Sequence, residues 1–485
     1  MVSSAISNRR RWIAFSVVVT GMIMNVLDQT IVNVALPTIQ RSLHFSQAEL
    51  AWVVDAYLIT FGGFLMLAGR LADLLGRKKT FMGGVIAFTV ASALCGFATN
   101  QAMLIGARFL QGAGAAFSAS VVLAIIVSEF HEPHERTRAT NVYVLVTVAG
   151  SSLGLLIGGV LTQLLSWHWI FFINVPIGIA TIIFGAILLD ESKGLGIRAG
   201  FDLGGALLST GGMMLLIYTM VTATTYGWTS AHTLVFGGAS IVVLASFFVL
   251  EANLKSPMMP TRVLKSKGLG PTSLARGLLA VGMFGTSYLG VQFLQHIFGF
   301  SALKAGFAFL PQALTIFVMT LGPSAWISRR LSPKLTAVVG FGIVCVGLVL
   351  FVLTTPETAY FPQVFLALLI TGLGGAMTFT PLLTIAMSNL PHEDAGIGTG
   401  MINTSQQMSI AVAVAALSVI SASRTKALAA QGSNPLNALA GGYRLGFIVG
   451  AVAVALGIVV CLVLVRNPDH LEDADLAPVM ESMDI

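Results

Sequence analysis

The sequence predicts an all-α integral membrane protein of about fourteen transmembrane helices, arranged as two six-helix bundles with a central inserted helix pair. Three observations carry this. First, 56% of the 485 residues are hydrophobic and only 9% are charged, with a mean hydropathy of +0.88, whereas an ordinary soluble domain carries about 25% charged residues. Second, apolar runs of about 20 residues, the length a helix needs to cross ~30 Å of hydrocarbon, recur from one end of the chain to the other. Third, those runs lack the two-residue alternation of barrel strands, which leaves helices as the spanning element.

The expected spans lie near residues 12–36, 49–69, 80–99, 102–128, 139–165, 168–189, 203–222, 233–252, 271–296, 305–328, 335–354, 360–388, 397–421 and 442–465. The even number puts both termini on one side. Of the 26 Lys and Arg residues, 19 fall on that side, five on the other (Arg41, Lys304, Arg424, Lys426 and Arg444) and two, Arg108 and Arg276, within spans. Positive charge is retained in the cytoplasm, so both termini are expected there. Charged stretches on either side of spans seven and eight read as joints. The expected units are therefore an amino-terminal bundle over 1–190, the inserted pair with its connectors over 191–265, a carboxy-terminal bundle over 266–466 and an acidic cytoplasmic tail over 467–485. Two six-helix halves suit a transporter that rocks about a central site. No sequence repeat relates them by inspection.

Several function classes fall away. The net charge of +6 is scattered through short connectors, which fits orientation in a bilayer and not nucleic-acid binding. Cys95, Cys345 and Cys461 lie in apolar segments without ligand spacing, so neither a disulfide framework nor a metal site is expected. "NRRRW" ahead of the first apolar run resembles a signal peptide, but the run is too long and holds an acid; we read an uncleaved first helix. "EFHEPHER" (129–136) has the letters of a metal site, yet its proline breaks the helical register that would aim His131 and His134 at one ion. No nucleophile elbow, phosphate loop or paired metal histidines are found, and no soluble catalytic domain is expected.

The candidate site consists of polar residues where hydrocarbon chemistry is expected. Asn25, Asp28, Gln29 and Asn33 fall within an arc of about 140° on the first helix. Span two brings Asp55, at a similar depth by the ~1.5 Å rise per residue, and the two acids are expected to face one cavity. Span four places Arg108, Gln111, Gly112 and Ala115 on one face, Arg108 about 9 Å from the outer end. Ionisable groups at this depth are costly and line cavities or pair. Burial favours a protonated carboxyl and a nearby arginine favours the ionised one, so two carboxylates and one guanidinium suit proton exchange. The bland alternative is a static ion pair that holds helices together.

The second half has no acid within a span. Its stripes are uncharged: Tyr288, Gln292 and Gln295 on span nine, and Asn403, Gln406 and Gln407 on span thirteen. These suit a cavity lining, or equally interhelical hydrogen bonds. Arg276, a turn or so inside span nine, is expected to snorkel to the cytoplasmic surface.

Four stretches resemble signatures of the major facilitator superfamily, in particular its fourteen-helix drug/proton antiporters of the multidrug efflux type. They are "LDQTIVNVALP" (27–37), "GRLADLLGRKK" (69–79), "RFLQGAGAA" (108–116) and "GSSLGLLIGG" (150–159). "WHWIFFINVPIG" (167–178) and "DAGIGTGMINTSQQ" (394–407) are also similar to stretches of that group. The resemblance implies the major facilitator fold, a conformational latch at Gly69, Asp73, Gly76 and Arg77, proton coupling at Arg108 and tight helix packing at Gly150, Gly154, Gly158 and the adjoining Gly159. Asp55 matches an acid that some multidrug members carry. The chain departs from the pattern at Leu155, where the family has proline, so the helix keeps a backbone hydrogen bond there.

The resemblance further implies a proton-coupled exporter of lipophilic, cationic small molecules in the cell (inner or plasma) membrane. It would use the proton gradient and no cofactor or metal, with small-molecule substrates, protons and the bilayer as partners, and would work as a monomer. The alternatives are a dedicated exporter of one endogenous metabolite, such as an antibiotic, siderophore or lipid precursor, and, from another class, a membrane-bound sensor or enzyme.

Overall fold

A computed structural model describes residues 2–46, 49–130, 132–191, 194, 203–254, 268–320, 323, 327, 330–388 and 395–467. The helices of the first half are α1 (Val2–Leu43), α2 (Ala51–Leu75), α3 (Arg77–Gly96), α4 (Gln101–Ser120), α5 (Val122–Glu129), α6 (Pro133–Leu164), α7 (Trp169–Phe172) and α8 (Asn174–Leu188). The central pair is α9 (Leu203–Tyr226) and α10 (Ala231–Asn253). The second half has α11 (Leu269–His296), α12 (Ala302–Ala308), α13 (Leu310–Thr320), α14 (Pro333–Val352), α15 (Phe365–Ser388) entered by a π-helical turn at Tyr360–Val364, α16 (Ala395–Ala430) and α17 (Pro435–Val463). With α4–α5, α7–α8 and α12–α13 each counted as one broken pass, these trace the fourteen predicted spans. Among the described residues, ten are individually long and apolar enough to cross a bilayer.

Several helices outrun their apolar spans. α1 starts ten residues earlier than expected and α16 continues to Ala430, because hydropathy marks the oil-facing stretch and not the hydrogen-bonded one. The connections are tight and locally encoded. Asn100 accepts from the Met103 N–H at 2.9 Å at the start of α4, Ser301 from Lys304 at 3.3 Å before α12, and Ser332 from Leu335 at 3.3 Å before α14, where Pro333 takes the first turn. Pro133 likewise stands in the first turn of α6. His131, the acidic tail from 468 and most of both central connectors (195–202 and 255–267) lie outside the described residues.

α1 to α8 pack mainly on one another, as do α11 to α17; the seam between them is made by α2 against α16, α6 against α12 and α13, and α1 against α11. α9 leans on α2 and α16, and α10 packs chiefly on α9. Burial follows this order: in the most apolar window of α11 78% of residues are buried, in that of α10 only 17%. Leu234, Val235, Ile241, Val242 and Val249 of α10 are exposed, as lipid contact requires.

The halves share a frame that the sequence hides. α3 crosses α4 where Gly84 meets Gly114: a Cβ on Gly84 would lie 2.8 Å from the Gly114 carbonyl oxygen. α14 crosses α15 where Gly340 meets Gly374, with the same 2.8 Å for a Cβ on Gly340. Such contacts let backbones approach where lipid offers no hydrophobic drive to pack. Lys78, six residues before Gly84, donates to the carbonyl oxygens of Ala186 (2.9 Å) and Leu189 (2.6 Å) at the end of α8. Lys334, six before Gly340, donates to Leu462 O (2.8 Å) at the end of α17. In both halves, then, a lysine from the third pass satisfies the orphan carbonyls of the sixth.

Candidate functional site

α1 runs through the middle of the first half and delivers Asp28 to a point where α2, α3, α4 and α8 converge. Arg108 and Gln111, one turn apart on α4, meet it together. Arg108 Nη1 donates to Asp28 Oδ2 and also to Gln111 Oε1 at 2.7 Å. Gln111 Nε2 donates to Asp28 Oδ1 at 2.7 Å and to Ser92 Oγ of α3 at 2.6 Å, and Asn174 Nδ2 of α8 donates to the same Oδ1 at 3.1 Å. Arg108 Nε donates to the Val53 carbonyl of α2 at 2.8 Å. The guanidinium lies over the Tyr57 ring, 4.4 Å from its centre. Asp28 and Gln111 are 0% exposed and Arg108 1%. Buried ion pairs hold only when their remaining donors and acceptors are also satisfied; here Gln111 beside Arg108, Val53 of α2 and Asn174 of α8 supply them, with Ser92 of α3 behind Gln111.

The depth estimate puts Asp55 level with this cluster, and the expectation was a shared cavity; the structure separates the two acids. Val53 and Tyr57, which touch Arg108, are four residues apart and share a face of α2. Asp55 lies midway between them, about 200° round the helix at 100° per residue, and points to the opposite side. There α2 packs on α16 of the second half, and Tyr288 of α11 is within electrostatic reach. Asp55 is 0% exposed and neither carboxyl oxygen has a hydrogen-bond partner. Depth along a helix is one coordinate, and the azimuth of α2 is the other that decides what Asp55 faces.

Three of the uncharged candidates, Gln29, Gln295 and Gln407, bond across the seam. Gln29 Oε1 accepts from Gln407 Nε2 at 3.4 Å, joining α1 to α16. Gln295 Nε2 donates to the Val34 carbonyl at 2.9 Å. Tyr288 accepts from Ser418 at 3.0 Å, and Gln292 is buried one turn further along α11. Asn25 instead turns inward, to Ser118 Oγ at 2.8 Å, and Asn33 is buried with its Oδ1 unpartnered. The side chain of Asn403 lies outside the described residues. Arg276 corrects its expectation: seven residues in from Leu269, roughly 10 Å at the helical rise, it is 8% exposed and donates to Gln406 Oε1 at 2.7 Å instead of reaching a surface.

On α6, Cβ atoms at Gly150, Gly154 and Gly158 would meet Val26, Thr30 and Ile31 of α1, while one on Gly159 would lie 2.8 Å from the Ala302 carbonyl across the seam. Leu155 is buried, its own carbonyl against Gly306. In the loop motif, Gly76 has φ 100°, a conformation that glycine accommodates; Gly69 has open space beside it, and Arg77 is half-buried. The side chain of Asp73 lies outside the described residues.

Comparison with known proteins places this geometry. The major facilitator superfamily model matches residues 18–414. The chain belongs to the major facilitator superfamily. It is 34% identical over 408 residues to the cephamycin export protein CmcT of Amycolatopsis lactamdurans, covering 84% of each chain. To the puromycin resistance protein pur8 of Streptomyces alboniger it is 34% identical over 455 residues, 93% of this chain and 89% of the relative. To the multidrug resistance protein Stp of Mycobacterium tuberculosis (strain H37Rv) it is 31% identical over 412 residues, 84% and 76%. Among solved structures, a bacterial homologue of the human lysosomal transporter Spinster, in an inward-facing and unoccupied conformation, superposes with a TM-score of 0.66 at 15% identity, over 93% of this chain and 96% of that one; this is a likeness of fold.

Within this superfamily member the residues missed by sequence reasoning are Ser92, Tyr57 and Asn174. Asn174 stands in the "WHWIFFINVPIG" stretch, so a signal for it existed; Ser92 and Tyr57 are ordinary residues of apolar helices and gave none. Among the described residues no three His, Cys, Asp or Glu side chains gather where a metal ion would sit.

Proposed function

We propose that this superfamily member is a proton-driven exporter of lipophilic small molecules, with Asp28, Asp55 and Arg108 as its coupling residues. One observation carries the reading. Asp28 is held by three donors, so a proton placed on it has to compete with Arg108, whereas neither oxygen of Asp55 is engaged. Asp55 is thus the acid that can be loaded and unloaded without breaking a bond the fold relies on, and it faces the seam where substrate would pass. Arg108, which grips the Val53 carbonyl two residues away, ties the ion pair to the same stretch of α2. A change at Asp55 that moves α2 therefore loads the bond between Arg108 and Asp28, and the two facing states are biased by which acid holds the proton.

The connector between α1 and α2 is assigned to the outside and both termini to the cytoplasm by the distribution of Lys and Arg, in the cell membrane. Two of the hydrogen bonds across the seam, Gln295 to Val34 and Leu303 N to Gln163 Oε1 at 3.2 Å, lie at that outer end, while Gln407 to Gln29 lies deeper. Export of drug-like or antibiotic molecules is supported by relatives named for cephamycin export, puromycin resistance and multidrug resistance. Two of those names specify a single compound, which favours as the second reading a dedicated exporter. Resistance of a deletion strain to a broad compound panel separates the two.

The test is dye export from proteoliposomes under an imposed pH gradient. Asp55→Asn is expected to remove gradient-driven export at least tenfold while leaving the melting temperature unchanged, since no bond is lost. Asp28→Asn is expected to abolish export and also to lower stability. Full export by Asp55→Asn would refute the assignment.

A further inference from the structure

One buried charge has no part in that cycle. Arg276 of α11 is 8% exposed. Its Nη2 donates to Gln406 Oε1 of α16 at 2.7 Å, but Nε and Nη1 are buried without a partner. The Ser273 hydroxyl, one turn earlier on the same face of α11, is also buried and unpartnered. The guanidinium sits over the Phe379 ring of α15, 5.5 Å from its centre, and Tyr143 of α6 lies within electrostatic reach from the other half. Among the described residues no carboxylate pairs with Arg276.

Arg108 shows what is missing. Both arginines have a glutamine amide oxygen on a terminal nitrogen and an aromatic ring beneath the plane; Arg108 also has Asp28 and a backbone carbonyl, and Arg276 has neither. A desolvated guanidinium with two free donor nitrogens is costly, and the group that relieves it best is an anionic oxygen set. With Nη2 already used, each edge of the guanidinium plane still offers a free N–H, and Ser273 offers an O–H on the same face.

We propose that Arg276, with Ser273 and Gln406, is a recognition site for an anionic oxygen group, a carboxylate, sulfonate or phosphate, belonging either to the transported molecule or to a lipid headgroup entering the seam. The site rests on the transport reading only for what the seam carries. It makes anionic and zwitterionic molecules, and not cations alone, the substrate class. Among the described, buried side chains, the first half offers a bound cation the unengaged carboxyl of Asp55, while the second half offers an anion the two unengaged nitrogens of Arg276.

Two xanthene dyes of similar shape and opposite charge test this, fluorescein as the anion and rhodamine 6G as the cation, bound to the purified full-length protein in phosphatidylcholine nanodiscs and followed by fluorescence anisotropy. Arg276→Gln is expected to weaken fluorescein at least tenfold and rhodamine 6G less than twofold; Arg276→Lys is expected to recover most of the fluorescein affinity. Absence of fluorescein binding to the wild type, or equal weakening of both dyes, overturns the proposal. Nanodiscs containing phosphatidylglycerol separate the sources. Unchanged fluorescein binding supports a transported anion, and displacement supports a headgroup site and overturns the substrate assignment. Binding needs no gradient, so loss of proton-driven export with Arg276-dependent binding intact strikes the coupling cycle and leaves this site standing.

Discussion

Eight residues after Gly84 the first half has Ser92, and six and three residues before Gly114 it has Arg108 and Gln111, all turned toward Asp28. Counted the same way from Gly340 and Gly374, the second half has Leu348, Leu368 and Thr371. Leu348 and Leu368 are fully buried, and Thr371 bonds to carbonyls of its own helix and to Gln312. The helix crossings and the lysine caps match, so the frame does not need the charges. A five-helix polar cluster at one centre, where the other is closed by leucine, is therefore an addition to the fold, held at a desolvation cost that leucine avoids. The contrast extends to the arginines: the charge of the first half is neutralised by its own chain, that of the second half is left open.

The sharpest way to break this comparison is to make the first centre resemble the second. Arg108→Leu strands the Asp28 carboxyl among donors too few to hold it, and removing one partner of a buried pair costs about 3–5 kcal/mol. The double substitution Asp28→Leu with Arg108→Leu is expected to regain most of that loss, because neither charge remains to be paid for. Both variants are expected to be inactive in export. Melting in detergent reads the first outcome and proteoliposome transport the second. A double variant as unstable as the single would mean that the cluster holds the first half together, and the argument for a functional addition would fail.

The frame itself is probed at the crossings. Gly114→Ala places a methyl 2.9 Å from the Gly84 carbonyl oxygen, and Gly374→Ala one 2.5 Å from that of Gly340. Each pair of helices must then separate, and overpacking of this kind costs about 1–3 kcal/mol. Similar losses in both halves are expected from melting curves, with the binding of dyes at Arg276 little affected by Gly114→Ala. A large loss in one half and none in the other would dissolve the shared frame.

How far the sequence discloses this molecule depends on which coordinate is needed. The fourteen passes and the polar face of α1 follow from hydropathy and helical period, both one-dimensional. Asp28 and Arg108 stood out because an ionisable residue in oil needs a reason, and they do meet. Asp55 stood out equally, but its partnerless setting depends on how α2 is rotated against α4 and α16, and packing settles that. Arg276 lies near enough to the start of α11 to snorkel by depth alone, but Gln406 of α16 and Phe379 of α15 hold its guanidinium inside, and packing settles that too. The internal frame was illegible because its marks, a lysine six residues before a glycine and a facing glycine on the next pass, are too sparse among 51 glycines to register as a repeat.

The lysine caps give the finest test of that frame. Lys78 reaches two carbonyls at the end of α8 and Lys334 one at the end of α17. A cation at a helix carboxy terminus contributes about 0.3–1 kcal/mol, so Lys78→Met is expected to cost near the upper end of that range and Lys334→Met near the lower. Methionine keeps an apolar stem of similar reach, which confines the change to the lost ammonium. Equal and opposite shifts in the two variants would show that the caps are unrelated. If Lys78→Met altered export rates with its melting temperature unchanged, the cap on α8 would belong to the conformational cycle through the adjoining Gly76 and Arg77 loop, and the first half would differ from the second in its latch as well as at its centre.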